Sequence, residues 1–138
     1  MTPNSSLKMS VIRPQYHFRI TKTGLDAWYV ARLIVLSKEL PLRHIDPTEV
    51  SELHENHWYF HGESIPSPLS IIEHSRLINE CDLAYPIILD ANDRVMDGMH
   101  RVCKAVLIGQ LTIPAVQFAV DPDTDFTNCD PEALPHDT

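Results

Sequence analysis

The stretch YPIILDANDRVMDGMHRVCKAVLIGQLTIPAVQF, from Tyr85 to Phe118, decides the fold. Pro86-Ile87-Ile88-Leu89 is a short apolar run of the composition that suits a buried strand. Ala91-Asn92-Asp93-Arg94 supplies turn residues and Val95-Met96 reads as the return strand, so the three pieces make a short hairpin. Asp97-Gly98 breaks that strand. From Met99 to Ile108 helical spacing resumes with Val102, Ala105 and Val106, and Gly109 stands where a C′ glycine closes a helix. Ile113 to Val120 is a final strand.

Outward from this core, Leu25, Trp28, Tyr29, Leu33 and Leu36 repeat at helical spacing, with Asp26 placed as an N-cap or first-turn acid. That pattern predicts a helix ending before Pro41. Pro41 to Ile45 reads as extended. Asp46-Pro47, with Glu49 at N3, has the form of an N-cap followed by an N1 proline and predicts a helix to about Glu55. Trp58-Tyr59-Phe60 is a strand or loop. A further helix opens at Ser67 or Ser70, carries Ile71, Ile72, Leu77 and Ile78 on one face, and stops near Asp82. Residues 1–12 are expected to be a flexible amino terminus, 13–120 one domain, and 121–138 an acidic tail with little to bury. The expected class is α/β (α+β), a compact small mixed sheet with helices packed on it.

The 138 residues suit a single domain that buries roughly two-thirds of its unfolded surface. A formal charge of −8, with 11 scattered Lys and Arg residues and no basic run, argues against DNA binding, which normally draws on a basic face. A local pocket for one small phosphorylated ligand is compatible with it. Cys81, Cys103 and Cys129 show no Cys-x-x-Cys pairing, so neither a disulfide framework nor a thiolate zinc site is expected. No stretch has the length and apolarity of a signal peptide or a membrane span, and a cytoplasmic location is expected.

The chemistry concentrates at Asp97 to Arg101. A strand that ends in a glycine turn and runs straight into a helix points the first N–H groups of that helix outward, where a phosphate can bind. Gly98 permits close approach, while His100 and Arg101 add charge-assisted bonds, Arg in a bidentate fork. The plainer alternative makes Asp97 a cap, Gly98 a turn residue, and His100 and Arg101 solvated first-turn side chains. Lys104, one turn further, is within reach of a phosphate or is simply an exposed lysine. Asp90 suits a ribose or metal contact, but more simply begins the turn. Glu73 with His74, and Glu49 or Glu52, are candidate general bases.

In order and spacing, Pro86 to Asp90, Val95 to Arg101, Ala105, Gly109 and Ile113 to Phe118 resemble the core of the ParB/sulfiredoxin superfamily. Leu42 to Leu53 resembles the strand and helix that open a ParB-type domain. In sulfiredoxins the loop is Gly-Cys-His-Arg with a cysteine nucleophile. Met99 stands in that place here and Cys103 does not, so sulfiredoxin activity is not expected. Partition ParB proteins hold CTP phosphates with a Gly-Glu-Arg-Arg type of loop and follow it with a DNA-binding domain, which is not expected here.

The nearest loop is the Asp-Gly-x-His-Arg of the free-serine kinase branch, which binds nucleotide phosphates. This resemblance implies Mg²⁺ with ATP, ADP or CTP. Asp97 would be the metal ligand and Asp97, His100 and Glu73 the catalytic residues. Gly98, Met99, His100, Arg101 and Lys104 would contact the ligand. The implied activity is that of a small-molecule kinase or nucleotide hydrolase. A non-catalytic regulatory or partner-binding module, with Trp58 to Phe60 in an interface and room for a homodimer, is the alternative, and nuclease activity is a third reading.

Two other patterns carry less. His54-x-x-His57-x-x-x-His61 would align three imidazoles for zinc or nickel only if the segment is helical. Asp121, Asp123, Asp125 and Glu132 fall at calcium-loop spacing, but Phe126 stands where that loop needs glycine.

Overall fold

A computed structural model of the chain describes residues 15–59 and 65–135, and the expected flexible residues 1–12 lie outside them. The fold is mixed α/β of the α+β kind. Two strands, β1 (Tyr16–Ile20) and β2 (Leu25–Tyr29), form an antiparallel hairpin. A second sheet holds β3 (Arg43–Ile45), β4 (Ile87–Leu89), β5 (Val95–Asp97) and β6 (Ile113–Gln117) in the order β3-β6-β4-β5. Its β4 and β6 run parallel, while the outer pairs are antiparallel. The helices are α1 (Val30–Ser37), α2 (Pro68–Glu80) and α3 (Met99–Ile108).

Alternation along β4 divides the core between the two faces of this sheet. Ile87 and Leu89 join Val95, Met99, Val102, Ala105, Ile113 and Ala115 beneath α3. Ile88 points the other way, into Trp28, Leu33, Met96, Val116 and Phe118 beside α1. The antiparallel β4–β5 hairpin and the parallel return to β6 follow the order expected from the sequence. The final strand, however, stops at Gln117 rather than Val120.

The expected helix from Leu25 is corrected at its first half, because Leu25–Tyr29 is strand β2 and the helix runs only over Val30–Ser37. Pairing with β1, a strand not assigned from the sequence, overrides the helical spacing. It buries Ala27 and Trp28 on opposite faces, as a period of two requires. Asp26 is not a helix cap, since Tyr29 holds that position. The helix expected from Asp46 to Glu55 is instead two 3₁₀ turns, Pro47–Glu49 and Ser51–His54. Its N-cap is as expected, with the Asp46 carboxylate accepting from the Thr48 N–H at 2.9 Å.

Helix α2 begins after Ser67, whose Oγ accepts from the Ser70 N–H, and it turns a different face inward from the one expected. Ile71 and Ile72 are exposed, whereas Glu73 and His74 are buried. The tail also differs from expectation. Residues 121–135 fold back on the hairpin, where Leu134 is buried with Tyr16 and Ala27, and Phe126 and Cys129 pack alongside.

Asp90 joins the two sheets. It is 1% exposed, takes the N–H groups of Asn92 and Arg94 in the turn, and receives Arg19 from β1 at 2.6 Å. Arg19 also reaches Asp121 at 3.0 Å and lies 4.7 Å over the Trp28 ring. The turn role expected for Asp90 is present, together with an ion pair in which Asp90 is buried and Arg19 is half-buried. Removing one partner strands the other charge, so Arg19→Ala should cost about 3 kcal/mol, read as a lower urea midpoint.

His17, its ring tilted against Trp28, is pushed down to about 3, first by burial and then by the Arg19 charge. Its folded value lies below the usual 6.5, so between about 3 and 6.5 the unfolded chain binds more protons. The stability is complete above 6.5 and is lost as pH falls through that window. The melting temperature should therefore fall steadily from pH 6.5 towards 3, and His17→Phe should flatten that slope.

Candidate functional site

Strand β5 ends at Asp97 and turns into α3 through Gly98, whose φ of 108° is left-handed. A Cβ at Gly98 would stand 2.7 Å from Ile87 Cγ2 and 2.8 Å from a terminal nitrogen of Arg101. Conformation and close packing both require glycine here. The Gly98 carbonyl accepts from the N–H groups of Arg101 and Val102, which starts the helix directly at the corner.

Arg101 folds back over this corner. One terminal nitrogen donates to the Pro86 carbonyl and to Asp97 Oδ2, each at 3.1 Å. Its Nε is buried without a hydrogen-bond partner. A desolvated guanidinium donor left unused is costly.

His100, in the same first turn, points towards α2. His74 Nδ1 and His100 Nε2 are 2.9 Å apart, and Trp58 lies over both rings, at 4.2 Å and 18° to His74 and 4.8 Å and 16° to His100. The imidazoles lie within 23° of coplanar and meet edge to edge beneath the indole. Tyr59 closes the same corner, its ring against His74 and its hydroxyl 2.8 Å from Ser70 Oγ. Burial pushes His74 below the usual imidazole value, and the nearby His57 adds to the effect.

The loop that carries Trp58 is fastened to β5. Glu52, buried, accepts from the Val95 N–H at 2.7 Å, and Arg94 grips Glu55 through both terminal nitrogens at 2.8 and 2.6 Å. Under this loop is a cavity of about 180 Å³, lined in part by Leu53, His57, Trp58, Met99 and Cys103.

The structure therefore brings Asp97, Gly98 and Arg101 together at this corner, while His100 turns to His74 on α2. Other candidates are placed elsewhere. The Met99 side chain packs in the core and lines the cavity under the Trp58 loop, away from the Arg101 corner. Lys104 donates to the carbonyls of Asn79 and Cys81, at 2.9 and 2.7 Å, and caps the end of α2. Glu52 is committed to the Val95 N–H and Glu49 is exposed, while Glu73 is buried on α2 next to His74.

Comparison with family models, with curated proteins and with solved structures finds no match. Among the described residues no group of three or more His, Cys, Asp or Glu side chains is arranged to hold a metal ion, and no helix is long and apolar enough to cross a membrane. His54 and His57 lie on a 3₁₀ turn and the loop after it, while His61 and Phe60 fall outside the described residues. Of the calcium-spaced acids, Asp121 and Asp125 are paired with Arg19 and Arg32.

The sequence offers His74 with Glu73 as a candidate base and Trp58 as an interface residue only in the non-catalytic alternative, and nothing in it pairs His74 with His100 beneath Trp58. The sequence marks the start of α2, with Ser67 as cap and Pro68 at N1, but carries no signal for its placement under Trp58. Gly98→Ala should lower stability by about 3 kcal/mol through its positive φ and the Ile87 contact, measured by denaturant unfolding.

Proposed function

We propose that this chain is a nucleotide-binding domain of the ParB/sulfiredoxin type, holding phosphates at Asp97-Gly98-Met99-His100-Arg101 and transferring or hydrolysing a phosphoryl group. The observation that carries this reading is Arg101, oriented by Asp97 and Pro86, with a buried Nε that lacks an acceptor beside a helix amino terminus. A phosphate oxygen supplies that acceptor, and the helix end favours its charge. The Met99 and His100 backbone shares in this helix end, while the Met99 side chain anchors it in the core.

Asp97, partly exposed, keeps one carboxylate oxygen beyond its bond to Arg101 and is the residue that would hold Mg²⁺. The metal would neutralise charge on ATP, ADP or CTP phosphates. The chain's net charge of −8 favours a small ligand over a polyphosphate backbone.

A second reading, a partner-binding module or homodimer without chemistry, draws on a different observation. Ile65, Leu69, Ile71 and Ile72 are exposed at and before the start of α2. If that patch joins two copies, light scattering should give twice the monomer mass and Ile72→Asp should halve it.

Calorimetry with ATP, ADP, CTP and CDP in Mg²⁺ tests the first reading. At least one should bind, and Arg101→Ala should weaken it about tenfold or more, some 1.4 kcal/mol. No heat from any of the four, or equal heat from the variant, removes the proposal.

A further inference from the structure

Two imidazole nitrogens 2.9 Å apart form a hydrogen bond only when one carries a proton and the other does not. The tautomers of His74 and His100 are therefore matched. When His74 Nδ1 donates, the outer nitrogen of His100 is a donor and that of His74 an acceptor. Reversing the shared bond reverses both. Protons can thus enter at one end of the pair and leave at the other without a second charge building up between the rings.

The surroundings favour this use. Trp58 roofs both rings, and His74 is 8% exposed. Among the described residues the other titratable groups on the elements that meet here are Glu55, His57 and Tyr59 on the loop, Glu73, Arg76 and Glu80 on α2, and Asp97, Arg101, Cys103 and Lys104 before and along α3. At the amino end of α3 Asp97 and Arg101 bond to each other, and the histidine pair beside them shares one hydrogen bond.

We propose that His74 and His100 form one proton relay for the phosphorylated ligand's reaction, with His100 on the ligand side and His74 its positioning partner. This rests on the phosphate reading of Asp97 to Arg101. An acceptor hydroxyl or water loses its O–H proton to His100 Nδ1 as its oxygen bonds phosphorus and the bridging P–O bond breaks. The shared proton passes from His100 Nε2 to His74 Nδ1. A proton then leaves His74 Nε2 for solvent or, by the reverse path, reaches the departing oxygen. The base is the imidazole pair, and Glu73 is not needed for that role.

The test begins on ligand-free protein, with imidazole nitrogen NMR followed from pH 5 to 8. The expected result is one coupled transition for the pair with a single shared N–H. His74→Phe, which keeps a ring under Trp58, should return His100 to an independent titration. Phosphate release from Mg²⁺–ATP should fall about hundredfold in His74→Phe with the Kd for ATP changed by less than about threefold, and the bell-shaped pH profile should lose one limb. His74→Gln, able to donate to His100, should recover part of that loss.

Two independent, ordinary titrations in the unmodified protein overturn the relay. So does ATP binding that depends on Arg101 while turnover is unchanged in His74→Phe, and in that case the phosphate reading survives. If ATP, CTP and inorganic phosphate all fail to bind, both proposals fall.

Discussion

The corner at Gly98 is the constraint on which the candidate site depends. Its backbone is pressed so closely against Ile87 that a single methyl group would stand 2.7 Å from Ile87 Cγ2. Because β5 enters α3 through so tight a turn, the first helical turn has little freedom. Met99 must face the core, Arg101 must fold back over the strand towards Pro86, and His100 is left to point sideways at α2. Three consecutive side chains thus take three separate tasks from one left-handed residue. A wider loop would leave their directions to be set by weaker contacts.

Packing between α2 and α3 is polar where an apolar seam would have been simpler. Lys104 holds the last carbonyls of α2, and His74 meets His100, while Ile71 and Ile72 of the same helix face outward. Hydrogen bonds of this kind add little net stability, but they tolerate only narrow geometries, so they fix the relative placement of two helices more tightly than interchangeable aliphatic contacts would. A seam chosen for placement rather than for burial is what a site shared between two helices requires.

The middle of the chain was legible because its signals are local. Asp97-Gly98 at a strand end, Gly109 after an apolar helix, and a four-residue turn of Ala91 to Arg94 each specify their own backbone conformation. Leu25 to Tyr29 was misread because its partner lies elsewhere: strand pairing with Tyr16–Ile20 and cover from Phe126 decide its state, and neither leaves a trace in the helical spacing of Leu25, Trp28 and Leu33. The inward face of α2 failed for a related reason. Hydrophobicity pointed to Ile71 and Ile72, but the side of α2 that meets α3 carries His74, whose burial is tolerated because its Nδ1 is paired with His100. Within the site, Arg101 and Asp97 could be named from the motif, whereas Trp58 and His74 are brought there only by tertiary folding.

One short strand governs both sides of that site. At its start, the Val95 N–H is taken by the buried Glu52, and the adjacent Arg94 holds Glu55, so the loop leading to Trp58 is fastened to the sheet. At its end, Asp97 and Gly98 launch the helix that carries His100. The indole roof and the imidazole beneath it are therefore referenced to the same three residues of backbone. Asp90 sets the turn from which that strand emerges, through its bonds to Asn92 and Arg94, and Arg19 of the hairpin neutralises its buried charge. The β1–β2 hairpin and the folded-back tail that supplies Asp121 thus act on the site at a distance. By keeping the Asp90 turn in place, they keep the strand in register, and the strand keeps Trp58 over the histidine pair.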